Sequence, residues 1–179
     1  MNIISVKNNT ELCERVKNYC KEKWGKVYNN FACTADMSVS AERFPQTWVL
    51  LDKRMKDADG KPAIMGFYQL EESDHLTVNT ELTPFITTLF IDPICRGGKG
   101  FGKFALEHAR AVLGQMGFDT VYLTTDHIGY YEKYGFREIG LDITDYGSPT
   151  KIYSADTGEV RPFGQLIFGD DETTWVKYI

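Results

Sequence analysis

Hydrophobic and polar positions recur along this chain with readable periods. From Thr10 to Lys23, the residues Leu12, Val16, Tyr19, Cys20 and Lys23 follow steps of three and four. That spacing predicts a helix with Thr10 as its cap and Gly25 just past its end. Asn29 to Phe44 carries a weaker helical pattern, broken in places and closed by Pro45. Trp48–Asp52 and Ala63–Leu70 are apolar runs on either side of Asp57-Ala-Asp-Gly-Lys61, a turn signal, and predict a strand pair. Glu71 to Thr83 is polar and reads as a solvated loop. Phe85–Ile91 is rich in β-branched and aromatic residues and predicts a strand. Asp92-Pro93 ends it, because proline has no backbone donor and restricts the residue before it. Phe101, Phe104, Ala105, His108, Ala109, Val112, Leu113 and Met116 then make a helical stripe, with Gly117 as its C-cap and His108 as a packed histidine on it. Phe118–Thr124 predicts the next strand, and Asp126 a cap for a short helix ending at Gly135. Phe136–Thr144 and Thr150–Ala155 predict a final strand pair around Tyr146-Gly-Ser-Pro149. The predicted order is α, α, β, β, β, α, β, α, β, β, without internal repeats.

Composition narrows the class. A chain of 179 residues is of single-domain length and large enough for a real core. Its 42% hydrophobic and 25% charged content is that of a soluble globular protein. A formal charge of −5 argues against general binding to nucleic acid or to a membrane surface. No apolar run reaches the ~20 residues that span a bilayer, and the N-terminus lacks the basic start and apolar centre of a signal peptide. The four cysteines form neither a C-x-x-C pair nor a Cys/His cluster, so they read as free thiols of a reducing cytoplasm, with no metal site. Residues 157–179 carry Phe163, Leu166, Ile167, Phe168, Trp175, Val176, Tyr178 and Ile179. They are too apolar for a loose tail and read as an extension that packs on a 1–156 domain or on a second subunit, as in a homodimer.

One stretch concentrates candidate chemistry. Between the strand at Phe85–Ile91 and the helix from Phe101 stand Gly97, Gly98, Gly100 and Gly102, with Arg96, Lys99 and Lys103 among them. Glycines let the backbone approach a ligand and take φ values that other residues resist. The helix start adds unpaired N–H groups and a partial positive charge. Strand, glycine turn, helix and local basicity together predict an anion site, most often for phosphate. A metal-dependent nucleotide loop would place a hydroxyl after Lys103, where Phe104 stands, so a P-loop hydrolase is disfavoured. A dinucleotide fingerprint beginning at Gly98 and Gly100 would need a third glycine at Lys103.

A third pattern fits. Arg96-Gly-Gly-Lys-Gly-Phe-Gly102 resembles the pyrophosphate loop R/Q-x-x-G-x-G/A of the GNAT superfamily of N-acetyltransferases, with one extra residue in the loop, so that Gly97 and not Arg96 falls at the first motif position. Tyr130-Tyr-Glu-Lys-Tyr-Gly-Phe136 resembles that family's segment [FY]-Y-x-K-x-G-F. Pro45–Leu51 and Ile64–Phe67 are similar to its first long hairpin. The resemblance covers roughly residues 10–156. It implies an α+β (α/β three-layer) acyl-CoA N-acyltransferase fold, a mixed, mostly antiparallel sheet flanked by helices. It implies acetyl-CoA as cosubstrate, no metal, and direct transfer to a primary amine of a small molecule. Acetylation of a protein amine, or acyl-CoA binding without turnover, are the alternatives.

By the same resemblance, the loop amides and side chains from Arg96 through Gly97, Gly98, Lys99, Gly100, Phe101 and Gly102 to Lys103 hold the pyrophosphate. The backbone of Leu89, Phe90 and Ile91 holds the thioester and pantetheine arm, with Asp126 and Tyr130 beside it. Tyr131 is the general acid for the departing thiolate. Thr124 stands where the family often has an asparagine. The base is sought among Glu71, Glu72, Asp74 and Glu81, with Glu72 put first, because an acidic mouth attracts a cationic amine.

Overall fold

The computed structural model describes residues 1–157, so the expected extension lies outside the described residues from 158 onward. Its elements are β1 (Asn2–Ser5), α1 (Thr10–Lys23), α2 (Tyr28–Ser38), β2 (Gln46–Lys56), β3 (Pro62–Glu71), β4 (Phe85–Ile91), α3 (Phe101–Gln115), β5 (Thr120–Thr125), β6 (Arg137–Ile143) and β7 (Pro149–Asp156). Single 3-10 turns occupy Gly25–Val27, Pro93–Cys95 and Tyr131–Tyr134. The seven strands are hydrogen-bonded in the order β1-β2-β3-β4-β5-β7-β6. β1 runs antiparallel to β2, β4 parallel to β5, and β7 antiparallel to both β5 and β6. This is the expected mixed α+β sheet.

Several boundaries moved for identifiable reasons. β1 was not predicted: four residues are too few to show a period, and only the register Asn2↔Leu51 to Ser5↔Trp48 makes them a strand. The cap of α1 is Asn9, whose side chain accepts from the Leu12 amide at 2.9 Å; Thr10 is already helical. Asp126 caps nothing. The residue before the turn at Tyr131 is Tyr130, with no side-chain cap, and the helix expected there is one 3-10 turn. Glu71–Thr83 is more than a solvated loop, since Leu76 is buried and bridges to Thr144.

The described residues fall into two compact units. The first contains Met1–Gln69 and Thr88–Ala105. Its core joins Val16 and Cys20 of α1 and Phe31 of α2 to Val49, Phe67 and Phe90 of the sheet. Phe67 stacks on Phe90 at 5.3 Å, and Tyr19 meets Phe67 edge-on at 6.4 Å. The β2–β3 hairpin is closed at its turn by Arg15, which donates to Asp57 Oδ2 and to the Pro62 carbonyl, each at 2.8 Å. The second unit contains Leu70–Thr87 and the described residues from Leu106 to Thr157. There Leu76, Phe85 and Ile152 form a small buried cluster with Leu82 and Tyr122 against it.

Gly66 sets how closely β3 approaches the end of β4. A Cβ at Gly66 would lie 2.4 Å from the Phe90 carbonyl oxygen, and backbone cannot swing away as a side-chain tip can. Gly66→Ala is therefore expected to cost about 1–3 kcal/mol, as other overpacked sites do. Thermal unfolding checks this; a melting temperature equal to that of the native chain would contradict the close approach.

Candidate active site

The first set of candidate residues lies in the first unit, at the end of β4. Thr88 has φ +49°, a left-handed residue inside a strand, just before Leu89–Ile91. Asp92 then fixes the exit. Its backbone N–H donates to the Met65 carbonyl at 2.8 Å, Oδ1 accepts from the Ile94 amide at 2.9 Å, and Oδ2 accepts from the Tyr19 hydroxyl at 2.5 Å. Burial opposes ionisation of this carboxyl, but the Tyr19 hydroxyl and Ile94 amide outweigh burial and hold it below the usual carboxylate range.

The loop that follows turns two of its cations onto itself. Arg96 donates from Nε to the Ile91 carbonyl at 2.8 Å, with its guanidinium 5.5 Å from the centre of the Phe90 ring. Lys99 donates from Nζ to the Ile94 carbonyl at 2.6 Å. The extra residue at Arg96 thus acts on the strand end, as a clamp on β4. The backbone is a different matter. Gly97, Gly98 and Gly100 have φ of +77°, +86° and +78°. A Cβ at any of them would meet open space, so it is the dihedral angle and not crowding that calls for glycine. Among the described residues, no acceptor engages the amides from Gly97 to Gly100, and the first intrahelical bond of α3 is Phe104 N–H to the Gly100 carbonyl at 2.9 Å. Successive unengaged amides at a helix N-terminus suit an anion. The arrangement fits a pyrophosphate held by main chain, and Lys103 stands exposed on the first turn of α3.

The second set lies in the second unit. Tyr131 is buried, edge-on to Tyr130 at 5.0 Å and to Phe136 at 6.0 Å. Burial pushes its phenol up to about 12, the neighbouring Tyr130 adds to this, and a side-chain hydrogen bond with Thr125 opposes it. The turn that carries Tyr131 is fixed from several sides. Glu132 Oε1 accepts from the Gly129 amide at 3.1 Å and from the Tyr153 hydroxyl at 2.9 Å. Buried Arg110 donates to the Tyr134 carbonyl at 3.1 Å and, through Nε, to the Asp156 carbonyl at 2.9 Å. Tyr130 is half-buried and Asp126 is exposed. His108 is a buried core histidine whose pKa burial lowers to about 3, so it is neutral at pH 7.

The candidate carboxylates separate by environment. Glu72 and Glu81 are exposed, and Glu71 accepts from the Thr87 hydroxyl at 2.5 Å. Asp74 is different. Burial pushes its carboxyl up to about 6 and Glu71 adds repulsion, against a hydrogen bond from the Thr124 hydroxyl to Oδ2. Thr124 and Thr125 are consecutive on β5, so their side chains face opposite sides of the sheet. One serves Asp74 and the other Tyr131. No local signal marks Asp74 in the sequence, because its setting depends on a segment pinned across the fold.

The sequence model of the acetyltransferase (GNAT) family matches residues 22–136. The chain belongs to the acetyltransferase (GNAT) family. A stretch of 62 residues is 37% identical to the peptidyl-lysine N-acetyltransferase YjaB of Salmonella typhimurium strain LT2, covering 34% of this chain and 42% of that relative. The matched stretch therefore spans less than half of the curated relative. Among solved structures, this GNAT chain is similar to an aminoglycoside 6'-N-acetyltransferase complexed with coenzyme A, with TM-score 0.63, 15% identity, and coverage of 88% of this chain and 97% of that one. It is also similar to a chimeric spermidine N-acetyltransferase SpeG from Vibrio cholerae, with TM-score 0.58, 15% identity, and coverage of 89% and 98%. At these identities the likeness is one of fold. Among the described residues of this GNAT protein, no helix is long and apolar enough to cross a membrane.

Proposed function

We propose that this GNAT-family chain transfers an acetyl group from acetyl-CoA directly to a primary amine of a small molecule in the cytoplasm, without a metal. The observation that carries the reading is the set of left-handed glycines before α3, whose amides no acceptor among the described residues engages, which suits a pyrophosphate. The amines acted on by two fold neighbours, an aminoglycoside and spermidine by their names, lend the amine class support. The neutral amine nitrogen forms the new C–N bond at the thioester carbonyl, the C–S bond breaks, and the ammonium proton must leave. Asp74 is the better base than Glu72: it is ionised at pH 7 yet closer to neutrality than an exposed carboxylate. Tyr131 donates to the departing sulfur. A phenol at about 12 remains protonated throughout the working range. Against a thiol near 8.5, complete proton transfer is uphill, so its help is a hydrogen bond to charge that develops in the transition state.

Calorimetric titration of acetyl-CoA, ATP and NAD without added metal tests the cosubstrate, followed by CoA release against an amine panel. Micromolar acetyl-CoA binding, silence from the other two, and CoA release are expected. No acetyl-CoA binding, or a preference for ATP, overturns the reading. Tight binding with no release against any amine makes the chain an acyl-CoA-binding module, and release only with lysine-containing peptides makes it a protein acetyltransferase.

A further inference from the structure

The segment between β3 and β4 lines an open pocket of about 240 Å3 in the second unit. Its apolar wall is Leu76, Leu82 and Phe85, and its polar wall is Ser73, Asp74, His75, Asn79 and Thr80. Leu76 and Phe85 are buried and belong to the cluster with Ile152, so the floor is part of a core and keeps its shape. The lid side is pinned as well. Asp142 on β6 accepts from the amides of Val78 at 3.2 Å and Asn79 at 2.8 Å, and from the Asn79 side chain at 2.7 Å. The Thr77 amide donates to the Ile143 carbonyl at 3.1 Å, and the Asp145 amide to the His75 carbonyl at 2.8 Å. His75 itself holds a left-handed φ of +53° and pairs with Asp145 at 3.0 Å. A segment without regular structure that spends this many hydrogen bonds on one shape is preorganised, and preorganised sites lose less on binding.

The lining sets the chemistry. The carboxylate in the wall is Asp74, engaged through Oδ2 by Thr124; among the described residues no donor is recorded on Oδ1. A carboxylate over an apolar floor suits a cation with a short hydrocarbon body and disfavours anions. The volume is below the ~300–1,000 Å3 of sites for drug-sized ligands, so the occupant is small. We propose that this cavity seats the acceptor, a short aliphatic primary amine. Its ammonium lies on Asp74, its carbon chain on Leu76, Leu82 and Phe85, and any hydroxyl group within reach of Ser73 and Thr80. The assignment rests on the acetyl-transfer reading, but the site can be tested apart from it.

The probe is n-butylamine, with n-butanol and butyrate as its uncharged and anionic twins, titrated calorimetrically into the full chain at pH 8. Butylamine is expected to bind at least tenfold more tightly than either twin. Asp74→Asn and Leu82→Trp, one removing the charge and one filling the cavity, should each weaken butylamine at least tenfold while leaving acetyl-CoA affinity and the melting temperature unchanged. Because binding is read directly, failure of acetyl transfer with an intact butylamine effect sinks the enzymatic reading and leaves the cavity standing. Acetyl-CoA binding and amine turnover with butylamine affinity unaffected in both variants overturn the cavity assignment alone. Absence of butylamine binding to the native chain, or equal binding of the three probes, overturns it too.

Discussion

Tyr131→Phe is expected to lower kcat by about 10²–10³-fold, the usual worth of one positioned donor to charge that develops in the transition state, while KM for acetyl-CoA stays put. That corresponds to roughly 3–4 kcal/mol of barrier. The substitution removes one hydroxyl and leaves the ring, so the edge-on contacts with Tyr130 and Phe136 persist and the melting temperature should hold. The pH profile separates a donor from a packing residue. The phenol lies near 12, so no Tyr131 limb should appear in the native profile at working pH. With Asp74 as the base, an acid limb is expected near pH 6, where falling pH protonates it, and it should survive unchanged in Tyr131→Phe. Steady-state kinetics across pH on both proteins make the check. An unaltered kcat removes the donor role; a raised KM with kcat intact makes Tyr131 part of the binding wall.

Gly100→Val should weaken acetyl-CoA binding by tenfold or more without changing kcat at saturation. Gly100 sits at φ +78°, where a β-branched residue is strained by about 1–3 kcal/mol. A Cβ there meets nothing within 4 Å, so the new side chain displaces no neighbour and the whole effect acts through the backbone. The loop then either keeps its shape at that cost or relaxes and aims its amides elsewhere. Each 1.4 kcal/mol lost is tenfold in affinity. The internal bonds of Arg96 to Ile91 and Lys99 to Ile94 should hold the flanks, so the change should be confined to the turn. Calorimetry of acetyl-CoA on the variant decides: native affinity would show that the left-handed conformation at this position does not matter for the anion.

Much of the architecture was legible because its causes are local. β4 has the predicted bounds, Phe85–Ile91, and α1 the predicted end at Lys23 with a start one residue earlier than expected, since a strong period or a dense β-branched run bounded by Asp92-Pro93 decides them within a few residues. The start of α3 at Phe101 after the glycine turn is local for the same reason. The family motifs lie in these stretches, so the acyltransferase class could be read there as well. β1 could not, because its four residues are a strand only through pairing with β2, more than forty positions away.

By itself, then, the sequence determined the element order over most of the chain, the glycine turn before α3 and the family. These follow from residue spacing and from backbone preferences that each residue carries into any context. The tertiary structure alone decided that Arg96 clamps the end of β4, that burial raises the Asp74 carboxyl, and that residues 73–85 line an open pocket. Each of these depends on groups brought together across the chain, such as Asp74 with Thr124 or Asn79 with Asp142, and desolvation and hydrogen bonding act only once folding has made them neighbours.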